Sequence, residues 1–332
     1  MEKIDFVVTY LDGDDLNWQE ERATYAGDDI SEVLNSESRY RNMDNFYFWF
    51  RAVEKYAPWV NKIHVVTWGH VPSWLNTNHP KINIVTHEDF IPKKYLPVFN
   101  SNSIEMNIDR IEGLAEHFVN FNDDLFLNNT VKPEDFFTKG LPVTQIMHTP
   151  IKPTEPFFNV FFNNMLAVNK SIHHKKLFNK KAFSLKNGLF AVLGNLAMLP
   201  ILFYFRSFIG FREDHLCHPL TKNLFRETRE LLSDEFEFVS QEKFRDSRSI
   251  NVWFLLDYAR ATGQFIPHNS FKFGRMSVMG KEVNYNELLH SKFKILCFND
   301  ESVNHYMDFE VEKNRLNKAL LEKYPDKSLF EL

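Results

Sequence analysis

Apolar residues recur along this chain in two rhythms. Short, nearly unbroken β-branched and aromatic runs stand at 4–10 (IDFVVTY), 62–67 (KIHVVT), 81–86 (KINIVT), 117–121 (HFVNF) and 293–299 (FKILCFN). Each has strand length and closes on polar or turn residues. Between the runs the spacing changes to three and four. Asp44 and Asn45 precede Phe46, Trp49, Phe50, Val53 and Ala57, and Pro58 follows, which predicts a capped and terminated helix. After a polar turn at 96–103, Ile104, Ile108, Ile111, Leu114 and Ala115 predict a second helix with Glu105 in its first turn. Residues 243–263 hold a third around Ile250, Phe254, Asp257 and Tyr258, and 308–332 read as a charged terminal helix. Residues 16–40 are weakly patterned, a loop with one short helix. Strands separated by helical or loop crossovers predict an α/β fold, a doubly wound and mostly parallel sheet.

After residue 140 the texture changes. Pro142, Pro150, Pro153 and Pro156 interrupt the chain, and FFNVFFNN at 157–164 is strongly aromatic. His173, His174, Lys175, Lys176, Lys180 and Lys181 form a basic cluster ahead of 188–204, a run of 17 residues without a charge. Its length, with Asn195 and Pro200 inside it, ranks it first as a buried helix, second as an interfacial segment and last as a membrane span. The expected organisation is one catalytic domain over 1–332. Its core halves are 1–140 and 212–305, with a helical insertion at 141–211 and a C-terminal helix at 306–332.

The formal charge of −5 supplies no excess of Lys and Arg for nucleic acid. Two cysteines, Cys217 and Cys297, exclude a disulfide framework, and the start MEKIDFVVTYLDGDD is too charged for a secretory signal. Both point to a cytoplasmic protein, with the basic and apolar stretch at 173–211 in reach of the inner membrane face.

Candidate chemistry gathers at strand ends, where open α/β sheets bind ligands. Asn122, Asp123 and Asp124 follow 117–121, Asp12 and Gly13 follow 4–10, and Asn299 and Asp300 follow 293–299. Adjacent carboxylates repel unless a cation or donor neutralises them, and hard oxygens suit Mg²⁺ or Mn²⁺ beside phosphate. A capped turn is the alternative reading of the same three residues. His215 and His218 bracket Cys217, a conceivable zinc set without a second ligand pair, or one histidine poised as a general base. Arg245 and Arg248 stand in a small basic loop as candidate phosphate clamps.

These blocks together resemble the Stealth family of sugar-phosphate transferases. That family includes bacterial capsule and exopolysaccharide phosphotransferases and the catalytic part of the animal enzyme that adds GlcNAc-1-phosphate to lysosomal glycans. The resemblance runs through IDFVVTYLDGDD (4–15), RYRNMDNFYFWFRAVEKYAPWVNKIHVVTWG (39–69), LPVFNSNSIEMNIDRIEGLAEHFVNFNDDLFL, HLCHPLTKNLF with KFRDSRSIN (215–251), and KILCFND (294–300). Cys217 stands where a proline is expected, and 150–210 match nothing in the family pattern.

The resemblance implies a fold like that of nucleotide-sugar transferases. It also implies transfer of a hexose 1-phosphate from a nucleotide diphosphate sugar, usually a UDP-sugar, to an acceptor hydroxyl, giving a phosphodiester in a surface polysaccharide. The acceptor would be an oligosaccharide or a lipid-linked glycan. Asp123, Asp124 and Asn299 would hold Mg²⁺ or Mn²⁺, His218 would take the acceptor proton, and Arg245 would grip the transferred phosphate. Asp12, Gly13, Asn100, Ser101 and Glu105 would line the nucleotide-sugar pocket, and the aromatic surface at 157–162 would stack on acceptor rings. A conventional glycosyltransferase, or a non-catalytic glycan-binding component of a polysaccharide assembly, are the competing readings.

Overall fold

The computed structural model describes residues 2–26, 34–36, 40–152, 158–172, 179–300 and 306–332. In chain order its strands are β1 (Ile4–Thr9), β2 (Ile63–Thr67), β3 (Ile82–Thr86), β4 (His117–Phe121), β5 (Leu125–Leu127), β6 (Phe137–Thr138), β7 (Leu141–Thr144), β8 (His218–Thr221), β9 (Ile266–Pro267), β10 (Gly274–Val278) and β11 (Ile295–Asn299). The central sheet has the order β3-β2-β1-β4-β8. Its first four strands are parallel, as their unbroken apolar runs require of strands covered on both faces.

Side chains alternate across β4. Val119 and Phe121 join one hydrophobic cluster with Phe6, Trp49 and Phe136, and Phe118 joins the other with Phe225 and Phe254. The helix Phe46–Tyr56 packs Trp49 and Phe50 into the first cluster, as its spacing predicts. Arg51 ties it to the chain end by a two-pronged bond to Glu331, at 2.8 and 2.7 Å.

Four expectations change. The strand at 293–299 does not join the central sheet: β11 pairs antiparallel with β5 and parallel with β10 in a second sheet. β8, which contains Pro219 and lacks a long apolar run, closes the central sheet antiparallel to β4. The apolar residues of 104–115 are buried or partly buried but do not share one helix. A short helix, Ser101–Glu105, gives way to a 3₁₀ turn, Ile108–Arg110, because the Asn107 amide bonds back to the Ser103 carbonyl at 2.9 Å and Gly113 turns the chain at φ 74°. Finally, the uncharged run is a helix, Leu189–Phe205, but one flank of it is exposed. The basic residues His173, His174, Lys175 and Lys176, with Pro153, Pro156 and Phe157, lie outside the described residues.

Gly13 is demanded by close approach. A Cβ there would lie 1.7 Å from the Tyr40 carbonyl oxygen. Gly13→Ala should therefore cost about 1–3 kcal/mol, the scale of overpacking, read as a lowered denaturant midpoint with unchanged slope.

His87 and His148 are buried, and burial pushes both down to about 4. Below about pH 6.5 the unfolded chain binds protons that the folded chain refuses until about pH 4, so stability falls as pH falls through that window. Each contributes about 1.4 kcal/mol per pH unit, so the pair's share of the slope is about 3 kcal/mol per unit. His148 stacks on Phe208 at 5.9 Å. His148→Phe should keep that stack and reduce the slope by about 1.4 kcal/mol per pH unit in denaturation curves taken across the window.

Candidate active site

The chain leaves β4 through Asn122-Asp123-Asp124 and enters β5 at once, so the acidic turn stands where the two sheets meet. The Leu125 amide donates back to the Asn122 carbonyl at 3.2 Å, and the Asp124 carbonyl accepts from the Phe298 amide at 3.0 Å. That second bond brings the end of β11, with Asn299 and Asp300, beside the turn. Cys297 is buried and donates its thiol hydrogen to Asp124 Oδ2 at 3.2 Å. From the other side His215 Nε2 lies 3.7 Å from the same oxygen. His215 sits at φ 47°, a left-handed backbone that few non-glycine residues adopt and that clusters at functional sites.

Charge is crowded here. The crowding of the turn, with the negative charges of Asp124 and Asp300, raises the Asp123 carboxyl, although the residue itself is exposed. Glu105 is also buried and is raised to about 7, although Arg245 and His215 pull it the other way. Burial and the charges of Asp124 and Asp123 hold the Cys297 thiol protonated, so it serves Asp124 as a donor. The Asp124 Oδ1 atom is buried with no hydrogen-bond partner among the described residues. Carboxylates that feel one another's charge, beside an unsatisfied oxygen, suit a divalent cation with oxygen ligands. Of the residues expected to hold it, Asp123 and Asp124 stand in this turn, and Asn299 stands with Asp300 at the end of β11 beside it.

Arg245 is positioned by the loop before it. The fully buried Asn100 donates to the Glu242 and Phe244 carbonyls at 3.0 and 3.1 Å and accepts from the Asn102 amide at 3.1 Å. Its amide is thus committed to backbone. Asn100 fastens the loop and does not face a ligand, which corrects the expectation that it lines a pocket. The Arg245 guanidinium then donates to Ser101 Oγ at 2.8 Å, next to Glu105. Arg248 is turned away: it pairs with Asp246 at 2.7 Å and its side chain is 71% exposed.

Asp12 is held at the end of β1. Its amide donates to His70 Nε2 at 2.8 Å, and its carboxylate accepts from Asn42 and the Asp14 amide at 3.3 and 3.1 Å. Asp12 and Asp123 both act on the Tyr10 hydroxyl, which burial and these charges push up. The ends of these two paired parallel strands therefore stand side by side.

His218 begins β8, opposite Asn120 of β4. It is buried, and burial with the neighbouring charges of His215 and Arg260 pushes it down to about 3. Trp253 spans both histidines, its ring 5.6 Å from His215 and 6.1 Å from His218. The zinc grouping within H-L-C-H fails on direction, since Cys217 packs into the apolar cluster with Leu216. Instead Asp124, His215 and Cys297 come together, their ligand atoms within 4.8 Å of one another. His215 as the partner of Asp124, and Cys297 as its donor, were not singled out from the sequence. Asp300 was, by its place directly behind Asn299 at a strand end.

Comparison with known proteins now bears on these residues. Conserved region 2 of Stealth proteins matches residues 39–144, and conserved region 3 matches 214–258. The capsular polysaccharide phosphotransferase WcwK of Streptococcus pneumoniae is 40% identical over 99% of this chain and 98% of its own length. This chain belongs to the Stealth family. A relative in Lactiplantibacillus plantarum, the exopolysaccharide phosphotransferase cps2G, is 33% identical over 99% of this chain and 96% of its own. The crystal structure of the galactosyltransferase LgtC aligns at TM-score 0.44 and 9% identity, covering 96% of this chain and 95% of that one. Asn100, Ser101, Glu105, Asp123 and Asp124 fall in the first Stealth region, and His215, His218 and Arg245 in the second. Asp12, Gly13, Asn299 and Asp300 lie outside both.

Proposed function

We propose that this Stealth-family enzyme transfers a hexose 1-phosphate from a nucleotide diphosphate sugar, a UDP-sugar first, to a hydroxyl of a glycan acceptor. The product is a phosphodiester in a capsular or surface polysaccharide, and the leaving group is the nucleoside monophosphate. The observation that carries this reading is the meeting of Asp123, Asp124 and Asp300 with His215 on one side and the Glu105–Arg245 pair on the other. Such a site can neutralise a diphosphate and hold a proton acceptor beside it.

Asp123, Asp124 and Asn299, with Asp300, would hold Mg²⁺ or Mn²⁺. When bound, that ion offsets charge on the diphosphate oxygens. Arg245, braced on Ser101, would fix the transferred phosphoryl group as a planar cation. Asp12 and Gly13 at the end of β1, with Ser101 and Glu105, would bound the nucleotide-sugar pocket, and Asn100 would set its wall by holding the Arg245 loop. His218 is neutral at working pH and would accept the proton of the attacking hydroxyl. The negative charge of a bound donor raises its basicity above that of the free enzyme. The 3.7 Å approach of His215 to Asp124 supports a second assignment, with His215 as the base. The insertion at 141–211 would choose the acceptor, and the enzyme would work at the cytoplasmic face of the membrane.

The test is the nucleotide released from each of a set of UDP- and GDP-sugars in the presence of acceptor glycan. A nucleoside monophosphate supports the proposal. A nucleoside diphosphate assigns the chain to conventional glycosyl transfer.

A further inference from the structure

The helix Leu189–Phe205 has its polarity inside out. Its one amide side chain, Asn195, is fully buried and donates to the Ile146 and Ala182 carbonyls at 3.0 and 2.8 Å. It also accepts from the His148 amide at 2.7 Å, so a polar residue pins the helix to the protein. The opposite flank is apolar and faces outward. Phe190 is 63% exposed, Leu193 55%, Leu196 47%, Phe203 61%, Tyr204 82% and Phe205 60%. A water-facing helix ordinarily shows the reverse arrangement, and a continuous exposed apolar face marks an interaction surface.

Charge decides what covers it. From residue 156 to 212 the chain carries eight Lys and Arg and no Asp or Glu, although the whole chain is at −5. Lys180, Lys186, Arg206 and Arg212 are exposed and stand at or beyond the two ends of the helix. Two such faces from two copies would bring like charges together. A surface of anionic lipid headgroups would complement them. At about 1.5 Å per residue the 17-residue helix is roughly 25 Å long, short of a hydrocarbon core of about 30 Å. No helix among the described residues is long and apolar enough to cross a membrane.

We infer that Leu189–Phe205 lies in the plane of an anionic membrane surface, its Phe190–Leu193–Tyr204 flank in the acyl boundary and its basic flanks on the headgroups. Arg212 stacks on Phe271 at 4.3 Å, and the chain reaches His215 three residues later, so the helix is tethered close to the candidate site. This inference does not depend on which group the site transfers.

The experiment is co-sedimentation of the full chain with vesicles of phosphatidylglycerol and phosphatidylcholine, and with phosphatidylcholine alone. The wild type should bind the anionic vesicles at least tenfold better and lose that preference in high salt. Leu193→Glu with Tyr204→Glu should lose binding at least tenfold, and Lys186→Glu with Arg206→Glu should lose the preference for anionic lipid. Both double variants should keep the wild-type far-ultraviolet spectrum and melting temperature, because the changed positions are exposed. Equal binding by wild type and the Leu193/Tyr204 variant would overturn the inference, as would no binding by either. A concentration-dependent dimer that Leu193→Glu with Tyr204→Glu dissolves, without vesicle binding, would assign the face to a second copy instead.

Discussion

Asp124→Asn should lower turnover by at least ~10²–10³-fold while leaving the protein as stable as the wild type or more so. The substitution keeps the shape of the side chain and an oxygen that can accept the Cys297 thiol hydrogen, now at 3.2 Å. What it removes is one of the negative charges that crowd the turn and help to raise Asp123. Relief of that repulsion is worth stability, and loss of the charge costs cation affinity. Activity against added Mg²⁺ or Mn²⁺, set beside a melting curve, reads both effects. Wild-type turnover that is indifferent to EDTA would remove the divalent ion from the account. A variant that is inactive because it melts early would make Asp124 structural.

His218→Ala should lower turnover by about 10²-fold or more, the usual cost of losing a general base. In the free enzyme burial holds this imidazole near 3, so it is uncharged but a weak base. The negative charge of a bound donor would raise it, and its titration would then show in kcat at a higher pH than in kcat/KM. His215→Ala is the necessary companion. That residue stands against Asp124 and is partly exposed, so its loss should weaken donor or cation binding and raise KM. Near-normal turnover in His218→Ala, combined with a collapse of kcat in His215→Ala, would transfer the role of base to His215.

The parallel half of the fold was legible because its strands are apolar on both faces. A run such as IDFVVTY has one stable use, the interior of a covered sheet. β8 was not legible, since its sequence, His218-Pro219-Leu220-Thr221, has too few apolar residues to announce a strand and owes its place to pairing with β4. The 104–115 pattern recorded burial correctly and helix continuity wrongly, because Asn107 and Gly113 bend a segment whose apolar residues still face the core. The exposure of Leu189–Phe205 had no sequence signal of its own: periodicity reports that residues are apolar and is silent on what covers them.

Within the site, Asp124 was legible as one of two adjacent carboxylates at a strand end. His215 was not, because its approach to Asp124 depends on a left-handed backbone that the tetrad H-L-C-H does not encode locally. Cys297 was hidden for a similar reason. Its alternation within β11 reads as core, and only the antiparallel pairing with β5 turns its sulfur toward Asp124. Asn100 shows the opposite case, a polar residue at a turn that looks like a ligand and is consumed by backbone carbonyls.

The most direct measurement follows the phosphorus atom. A UDP-sugar donor carrying one radiolabel in its β-phosphate and another in its sugar, incubated with the enzyme and acceptor glycan, should deliver both labels to the product in equal amounts with release of UMP. Sugar label entering the product while the phosphate label stays with UDP would contradict the account.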